Sequence, residues 1–380
     1  MPLTIKDTVY RRTLSCGTLQ VTRHQGECAF DDLFDIAERR NPKRAFLFVS
    51  KVLGRHIPVS PSVMRQVYKQ LASQFATACS EPVLFIGMAE TAVGLGAGVF
   101  DELRQQCNAS VYLTSTRHPV DGELLCEFRE EHSHATDHLI YLPEDAEMRH
   151  RVTEARTLVL VDDEATTGNT FNNLLFALRE TGKLEHLQQV IAVTLTDWSR
   201  DALSIHSDLP VTSVSLVSGQ WRWEPLPDAP VPVMPAVNIT SRGTWPITGK
   251  QSWGRLGMTV PAGDLGRGIT ALPDERVLVL GTGEFVWEPF LLAERLETKG
   301  ARVFYSSTTR SPIAPGYAIK SVISFTDNYG LGIPNFVYNV AHQQFDRVLL
   351  CTETPAHSVD CHLLDALATV APVVEVITYE

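Results

Sequence analysis

A chain of 380 residues, 44% hydrophobic and 20% charged, has the composition of a soluble globular protein and material for two domains, each with a core. The formal net charge of −11 argues against a broad nucleic-acid surface, yet leaves room for a local basic pocket that takes phosphates. Seven scattered cysteines without Cys-x-x-Cys spacing define neither a disulfide framework nor a dedicated zinc site. Residues 1–20 lack an apolar signal core and no apolar run reaches 18 residues, so a cytoplasmic protein with no membrane partner is expected.

Residues 1–40 are mixed, with Phe30, Asp31, Asp32 and Phe34 reading as a surface helix. Ala45–Val49 reads as a strand. Lys51, Arg55 and His56 crowd the turn after it, either to line an anionic or aromatic ligand or as a solvated turn. Ser60-Pro61 offers an N-cap and a first-turn proline for a helix to about Ala78. Val83–Ile86 is an apolar strand, Gly87-Met88-Ala89-Glu90-Thr91 a turn, and Ala92–Cys107 a helix with small residues on one face. Ser110–Leu113 is the next strand, ending in Thr114-Ser115-Thr116-Arg117-His118. Between Val120 and Arg151 regular patterning fades. The interval is either a functional loop or a polar hairpin, and Glu130, Glu131, His132 and His134 suit acid–base work, base recognition or metal contact.

Leu158–Val161 is a short apolar, β-branched run that fits a buried parallel strand. Asp162 and Asp163 stop it at its carboxyl end. Ala165, Thr166, Thr167, Gly168, Asn169 and Thr170 then lead into the helical pattern Phe171–Arg179. A glycine turn between strand and helix aims backbone N–H groups and the helix dipole at one phosphate. The carboxylates cannot share that phosphate; their natural partners are hydroxyls of a sugar attached to it. The stretch therefore reads as a ribose-5-phosphate site, against the plainer alternative of an acidic strand–helix turn.

Residues 158–170 resemble the phosphoribosyl-diphosphate (PRPP) loop of type I phosphoribosyltransferases: four apolar residues, two acidic ones, two variable, then Thr-Thr-Gly-x-Thr. Glu164 departs from it by placing extra negative charge beside an anionic ligand. The resemblance implies that Gly87, Met88, Ala89, Glu90 and Thr91 hold the diphosphate with Arg117, whose planar fork suits two oxygens. It implies that residues 120–150 form a flexible catalytic loop, with Glu130 and His132 as candidate catalytic groups. Mg²⁺ would enter with PRPP, and the acceptor would be an unidentified base.

Seven prolines from Pro210 to Pro246, beside Trp221, Trp223, Trp245 and Trp253, read as a linker or lid. The second half then repeats the first. Val277–Glu284 lies over Val83–Glu90 at a separation of 194 positions (90 and 284), and Thr309-Arg310 over Thr116-Arg117 at 193. Leu349–Glu353 lies over Leu160–Glu164, with Cys351-Thr352 in place of the acidic pair. A PRPP loop fused to Thr309-Arg310-Ser311-Pro312 resembles the phosphoribosyltransferase–TRSP proteins of tellurite-resistance gene clusters. The expected fold is α/β: a parallel-sheet type I phosphoribosyltransferase domain (1–210), a Pro/Trp-rich linker (211–250), and a second α/β domain (251–380) that looks like a degenerate repeat. Gly281, Thr282, Gly283, Glu284, Thr309 and Arg310 would form a second anion site, and either a homodimer or an internal pseudo-dimer is expected. Orotate-phosphoribosyltransferase-like chemistry, for a nucleoside-like metabolite, is the leading reading; a PRPP- or nucleotide-sensing regulator is the alternative.

Overall fold

The computed structural model describes residues 9–39, 44–128, 138–200, 202, 207–227, 240–247, 253–261 and 263–379. Val9–Leu14 (β1) and Gly17–Gln25 (β2) form a hairpin, and Phe30–Leu33 (α1) leads to the antiparallel pair Phe34–Glu38 (β3) and Phe46–Ser50 (β4). Pro61–Ser73 (α2) precedes Val83–Gly87 (β5), Val93–Leu103 (α3) and Ser110–Thr114 (β6). Leu124–Phe128 (β7) and His138–Tyr141 (β8) pair as a hairpin, followed by Ala146–Thr153 (α4). Thr157–Val161 (β9), Glu164–Ala165 (β10), Asn169–Glu180 (α5), Gln189–Asp197 (β11) and Val211–Pro225 (β12) complete the first body. Its sheet runs β1-β2-β12-β11-β9-β5-β6, with β10 on β11. The strands from β12 to β6 are parallel. Every residue of β5, β6 and β9 is buried. Such strands, covered on both faces, read as unbroken apolar runs instead of alternating ones.

The second body comprises Arg276–Gly281 (β13), Trp287–Thr298 (α6), Arg302–Ser307 (β14), the hairpin Val322–Thr326 (β15) and Pro334–Tyr338 (β16), Arg347–Cys351 (β17), Cys361–Ala368 (α7) and Val373–Ile377 (β18). Its parallel sheet has the order β14-β13-β17-β18. The first sheet contains the same order in β6-β5-β9-β11. The chain is thus a mixed α/β protein around a largely parallel central sheet.

Two hydrophobic clusters cross between the bodies; the larger joins Met64 and Tyr68 of α2 to Trp287, Phe290 and Tyr305, and the smaller joins Ala37 and Val49 to Ile313, Phe336 and Tyr338. The Tyr68 and Phe290 rings meet edge to face at 5.4 Å. The small face of α3 is needed here, since a Cβ on Gly98 would lie 2.3 Å from the Tyr68 ring.

Two local expectations change, and one open alternative is decided in favour of a hairpin. The stretch read as a linker from 211 opens with β12, which runs parallel to β11 and, past a bulge at Ser218/Gly219, antiparallel to β2. Trp221 and Trp223 each pack 5.1 Å from Phe46, so they cover the sheet and are not poised to stack on a ligand. Helix α2 ends at Ser73, short of Ala78. The interval 120–151 contains β7, β8 and α4, the last capped by the Asp145 carboxylate accepting from the Met148 N–H at 2.8 Å. Glu130, Glu131, His132 and His134 lie outside the described residues.

Candidate active site

From β5 the chain goes to β6 on one side and later to β9 on the other, so the strand order reverses between β5 and β9. In open parallel sheets, ligands bind beyond the carboxyl ends of the strands at such a point. Both turns singled out from the sequence lie there. Gly87 is the cross-strand partner of Val161, and the Met88 N–H donates to the Val161 carbonyl at 3.0 Å. Residues 87–91 therefore sit beside Asp162 and Asp163.

The acidic pair is half-buried and tied to β11. The Asp162 N–H donates to the Val193 carbonyl at 3.0 Å, and the Asp163 carbonyl accepts from the Leu195 N–H at 3.1 Å. The Asp163 N–H donates to Asp162 Oδ1 at 2.9 Å. Burial, and then the charge of Glu164, pushes the Asp163 carboxyl up to about 6. Glu164, the departure from the expected pattern, is not loose charge. Arg44 Nη2 donates to both of its oxygens, at 2.6 and 2.9 Å, and the Arg44 guanidinium also lies over Phe46 at 5.0 Å.

Ala165 is buried; Thr166, Asn169 and Thr170 are half-buried and Thr167 is exposed. Gly168 precedes α5 with φ +75°, a left-handed conformation that glycine adopts without steric cost. The Asn169 N–H donates to Thr167 Oγ1 at 3.4 Å, while the amides of Thr170 and Phe171 have no carbonyl one turn before them within the helix and can face an anion.

Across the switch point, Gly87–Glu90 are buried and Thr91 half-buried. The Ala89 N–H donates to Ser115 Oγ at 2.8 Å, and the Ala89–Glu90 peptide is cis. The Arg117 Nε is buried and has no hydrogen-bond partner among the described residues. An unpartnered buried guanidinium nitrogen is what a diphosphate oxygen would satisfy.

The cations after β4 separate. Lys51 Nζ donates to the Asp31 carbonyl at 2.6 Å on the surface. Arg55 is buried against Glu90, with Nη1 3.0 Å from Oε1. His56 is buried and its Nε2 unpartnered among the described residues; burial, then the Arg55 charge, lowers it to about 3.

The expected second anion site is internally satisfied. Glu284 accepts from the Arg117 N–H at 2.8 Å and lies 3.1 Å from Arg255 Nη2. Burial alone would raise its carboxyl, but His118, Arg255 and hydrogen bonds from Thr116 and the Arg117 N–H hold it at about 2. Arg255 also grips Glu353 with two hydrogen bonds, 2.7 and 2.8 Å, and Tyr329 Oη donates to the same carboxylate at 2.7 Å. The Gly283 N–H donates to Thr308 Oγ1, the Thr282 and Thr309 backbones are bridged to Phe285 and Phe336, and Arg310 Nε lies 3.5 Å from Glu90. Donors that could take an anion are engaged by carboxylates and neighbouring strands, and Gly283, Glu284 and Arg310 line only a cavity of about 10 Å³.

Arg44, Arg255, Glu353, Tyr329 and His118 had no assigned role in the sequence. One signal was available: Gly54-Arg55 recurs as Gly254-Arg255. A cavity of about 930 Å³ between the bodies is bordered by His118, Met148, Trp245, Trp253, Arg255 and Tyr329, and shares none of the candidate phosphoribosyl residues.

Residues 33–220 match the family model of a phosphoribosyl transferase, and residues 259–367 that of the TRSP domain C-terminal to it. The chain therefore carries a phosphoribosyltransferase domain followed by a TRSP domain, and through the first it is a pentosyl-transferring enzyme. Among solved structures it is similar to adenine phosphoribosyltransferase of Trypanosoma brucei, at 11% identity over 49% of this chain and 77% of that one, TM-score 0.36. It is also similar to the adenine enzyme of Thermoanaerobacter pseudethanolicus, at 15% identity over 49% and 95%, TM-score 0.34. A hypoxanthine phosphoribosyltransferase from Staphylococcus aureus matches at 12% identity over 43% and 77%, TM-score 0.25. No curated protein matches the chain. No helix among the described residues is long and apolar enough to cross a membrane.

Proposed function

We propose that the protein transfers the ribose 5-phosphate of PRPP to a ring nitrogen of a base and releases diphosphate. The observation that carries this reading is the convergence of Asp162-Asp163, the Gly168 turn and the Gly87 turn at the strand-order switch. Asp162 and Asp163 accept hydrogen bonds from the ribose hydroxyls. Residues 165–170 and the start of α5 take the 5′-phosphate, and Gly87–Thr91 with Arg117 take the diphosphate. The bond from C1 to the diphosphate oxygen breaks with its electron pair leaving on diphosphate, a base nitrogen forms the new bond to C1, and the proton that nitrogen carried passes to the released diphosphate or to water. Fixed donors and charges supply most of the acceleration, by position and electrostatics. The carboxylate oxygens of the acidic pair suit Mg²⁺, a hard cation that would neutralise diphosphate charge.

We read the product as a nucleotide-like precursor of a nucleoside-like metabolite, the chemistry as orotate-phosphoribosyltransferase-like and the setting as cytoplasmic, in a tellurite-resistance gene context. The test mixes the protein with Mg²⁺, PRPP and a panel of purine and pyrimidine bases and measures diphosphate. Base-dependent release is expected. Tight PRPP binding with no release for any base would replace the enzyme reading with a PRPP sensor.

A further inference from the structure

The turn assigned to diphosphate is not completed by the first domain. Glu90 is buried at its end, and a carboxylate there repels the diphosphate expected beside it. Two guanidiniums flank it: Arg55 Nη1 at 3.0 Å from Oε1 and, from the second domain, Arg310 Nε at 3.5 Å from Oε2. Arg55 is itself held by second-domain carbonyls, those of Gly283 at 2.8 Å and Thr308 at 2.7 Å. Glu90 and Arg55 alone make a neutral pair, to which Arg310 adds a second guanidinium, with Glu284 and Asp327 lining the same small cavity.

The equivalent turn of the second domain has the opposite balance. Glu284 and Glu353 share the single guanidinium of Arg255. His118 beside them, lowered to about 4 mainly by burial, adds no charge at neutral pH. That turn is net negative and its front is closed by Tyr329, which stacks on His118 at 4.0 Å.

The contacts between the halves are reciprocal. Gly54 lies against Tyr305, where a Cβ would come within 2.5 Å of the ring, and Gly254 lies against Tyr112, where it would come within 2.8 Å. Val59 bridges to Tyr305, and Met258 to Tyr112. Tyr112 Oη donates to the Val93 carbonyl at 2.8 Å and Tyr305 Oη to the Val286 carbonyl at 2.7 Å. Each half lends its Gly-Arg segment to the other's tyrosine strand, which is how two subunits contact each other about a two-fold axis.

We propose that the TRSP domain is a built-in partner subunit whose Arg310, with the carbonyls of Gly283 and Thr308, positions Arg55 and Glu90 so that the Gly87–Thr91 turn accepts a diphosphate. Arg310 acts through Glu90 and is a positioning residue. The proposal rests on the PRPP reading. Calorimetric titration of the full chain tests it, with Mg²⁺–PRPP and separately with ribose 5-phosphate, which lacks the diphosphate. Arg310→Ala is expected to weaken PRPP by at least about tenfold and leave ribose 5-phosphate within about twofold. Arg310→Lys should recover much of the loss. Glu90→Gln combined with Arg310→Ala should also recover PRPP affinity, because the charge that Arg310 offsets is gone. Unchanged PRPP affinity in Arg310→Ala overturns the proposal. So does an equal loss of both ligands, or a double variant no better than Arg310→Ala. Wild-type protein that binds neither ligand overturns the PRPP reading itself, and needs no variant to show it.

Discussion

Asp163 is held where its charge is unwelcome, as binding groups often are. Its folded value of about 6 stands above the roughly 3.9 of a free aspartate, so the native state binds the proton more tightly than the unfolded chain. The stabilising contribution is fully present below about 4 and is lost as pH rises through about 6. Asp163→Asn should therefore raise Tm at pH 8, with a gain that shrinks as pH is lowered to 5; a gain that grows on acidification would refute the assignment. Asp162→Asn with Asp163→Asn should end base-dependent diphosphate release while the protein stays folded. Arg44 belongs to the same argument. Its pair with Glu164 is about one-eighth exposed on each side (13% and 13%), so Arg44→Ala strands a mostly buried carboxylate. A loss of about 2–3 kcal/mol in urea unfolding is expected, with weaker PRPP binding from the uncompensated charge.

Gly168 sets the direction in which α5 begins. At φ +75° an alanine costs about 1–2 kcal/mol and turns the loop amides away from their common focus. Gly168→Ala should weaken a 5′-phosphorylated ligand in titration more than it lowers Tm. Equal affinity would remove the phosphate role from the 165–170 loop. The strands on either side of the site were legible because β5, β9, β13 and β17 are short apolar runs bounded by turn residues. Strand β12 was not. Its tryptophans and the prolines around it read as a linker, and only the position of Phe46 beneath Trp221 and Trp223 makes them sheet cover. The interval around β7 and β8 was legible only as two alternatives, a functional loop or a polar hairpin, and the hairpin is what forms: it has little periodic signal until it packs, as β7 does near α5.

Because the larger core cluster runs through both halves, the chain should unfold as a unit. Differential scanning calorimetry is expected to give one transition, and a fragment ending at residue 227 should lack cooperative unfolding, having lost Trp287, Phe290 and Tyr305 from around Tyr68. Two well-separated transitions would contradict this. The same interface makes Gly254 sensitive. At φ +93° and with Tyr112 in the way, Gly254→Ala should cost about 2–4 kcal/mol, seen as a lower Tm.

The order of apolar runs, the acidic pair at Asp162-Asp163 and the glycine turn after it determined the α/β class and the phosphate-and-ribose reading. They could do so because these signals are local: a strand, its end and the next helix are contiguous in the chain. Partnership across the molecule was decided only by tertiary structure. Whether Glu164 repels a ligand depends on Arg44, 120 residues away. Whether Arg310 faces an anionic ligand or a carboxylate of the protein itself depends on Glu90 in the other half. Charge acts through space and not along the sequence, so the sign of a pocket is set by which distant side chains folding brings beside it.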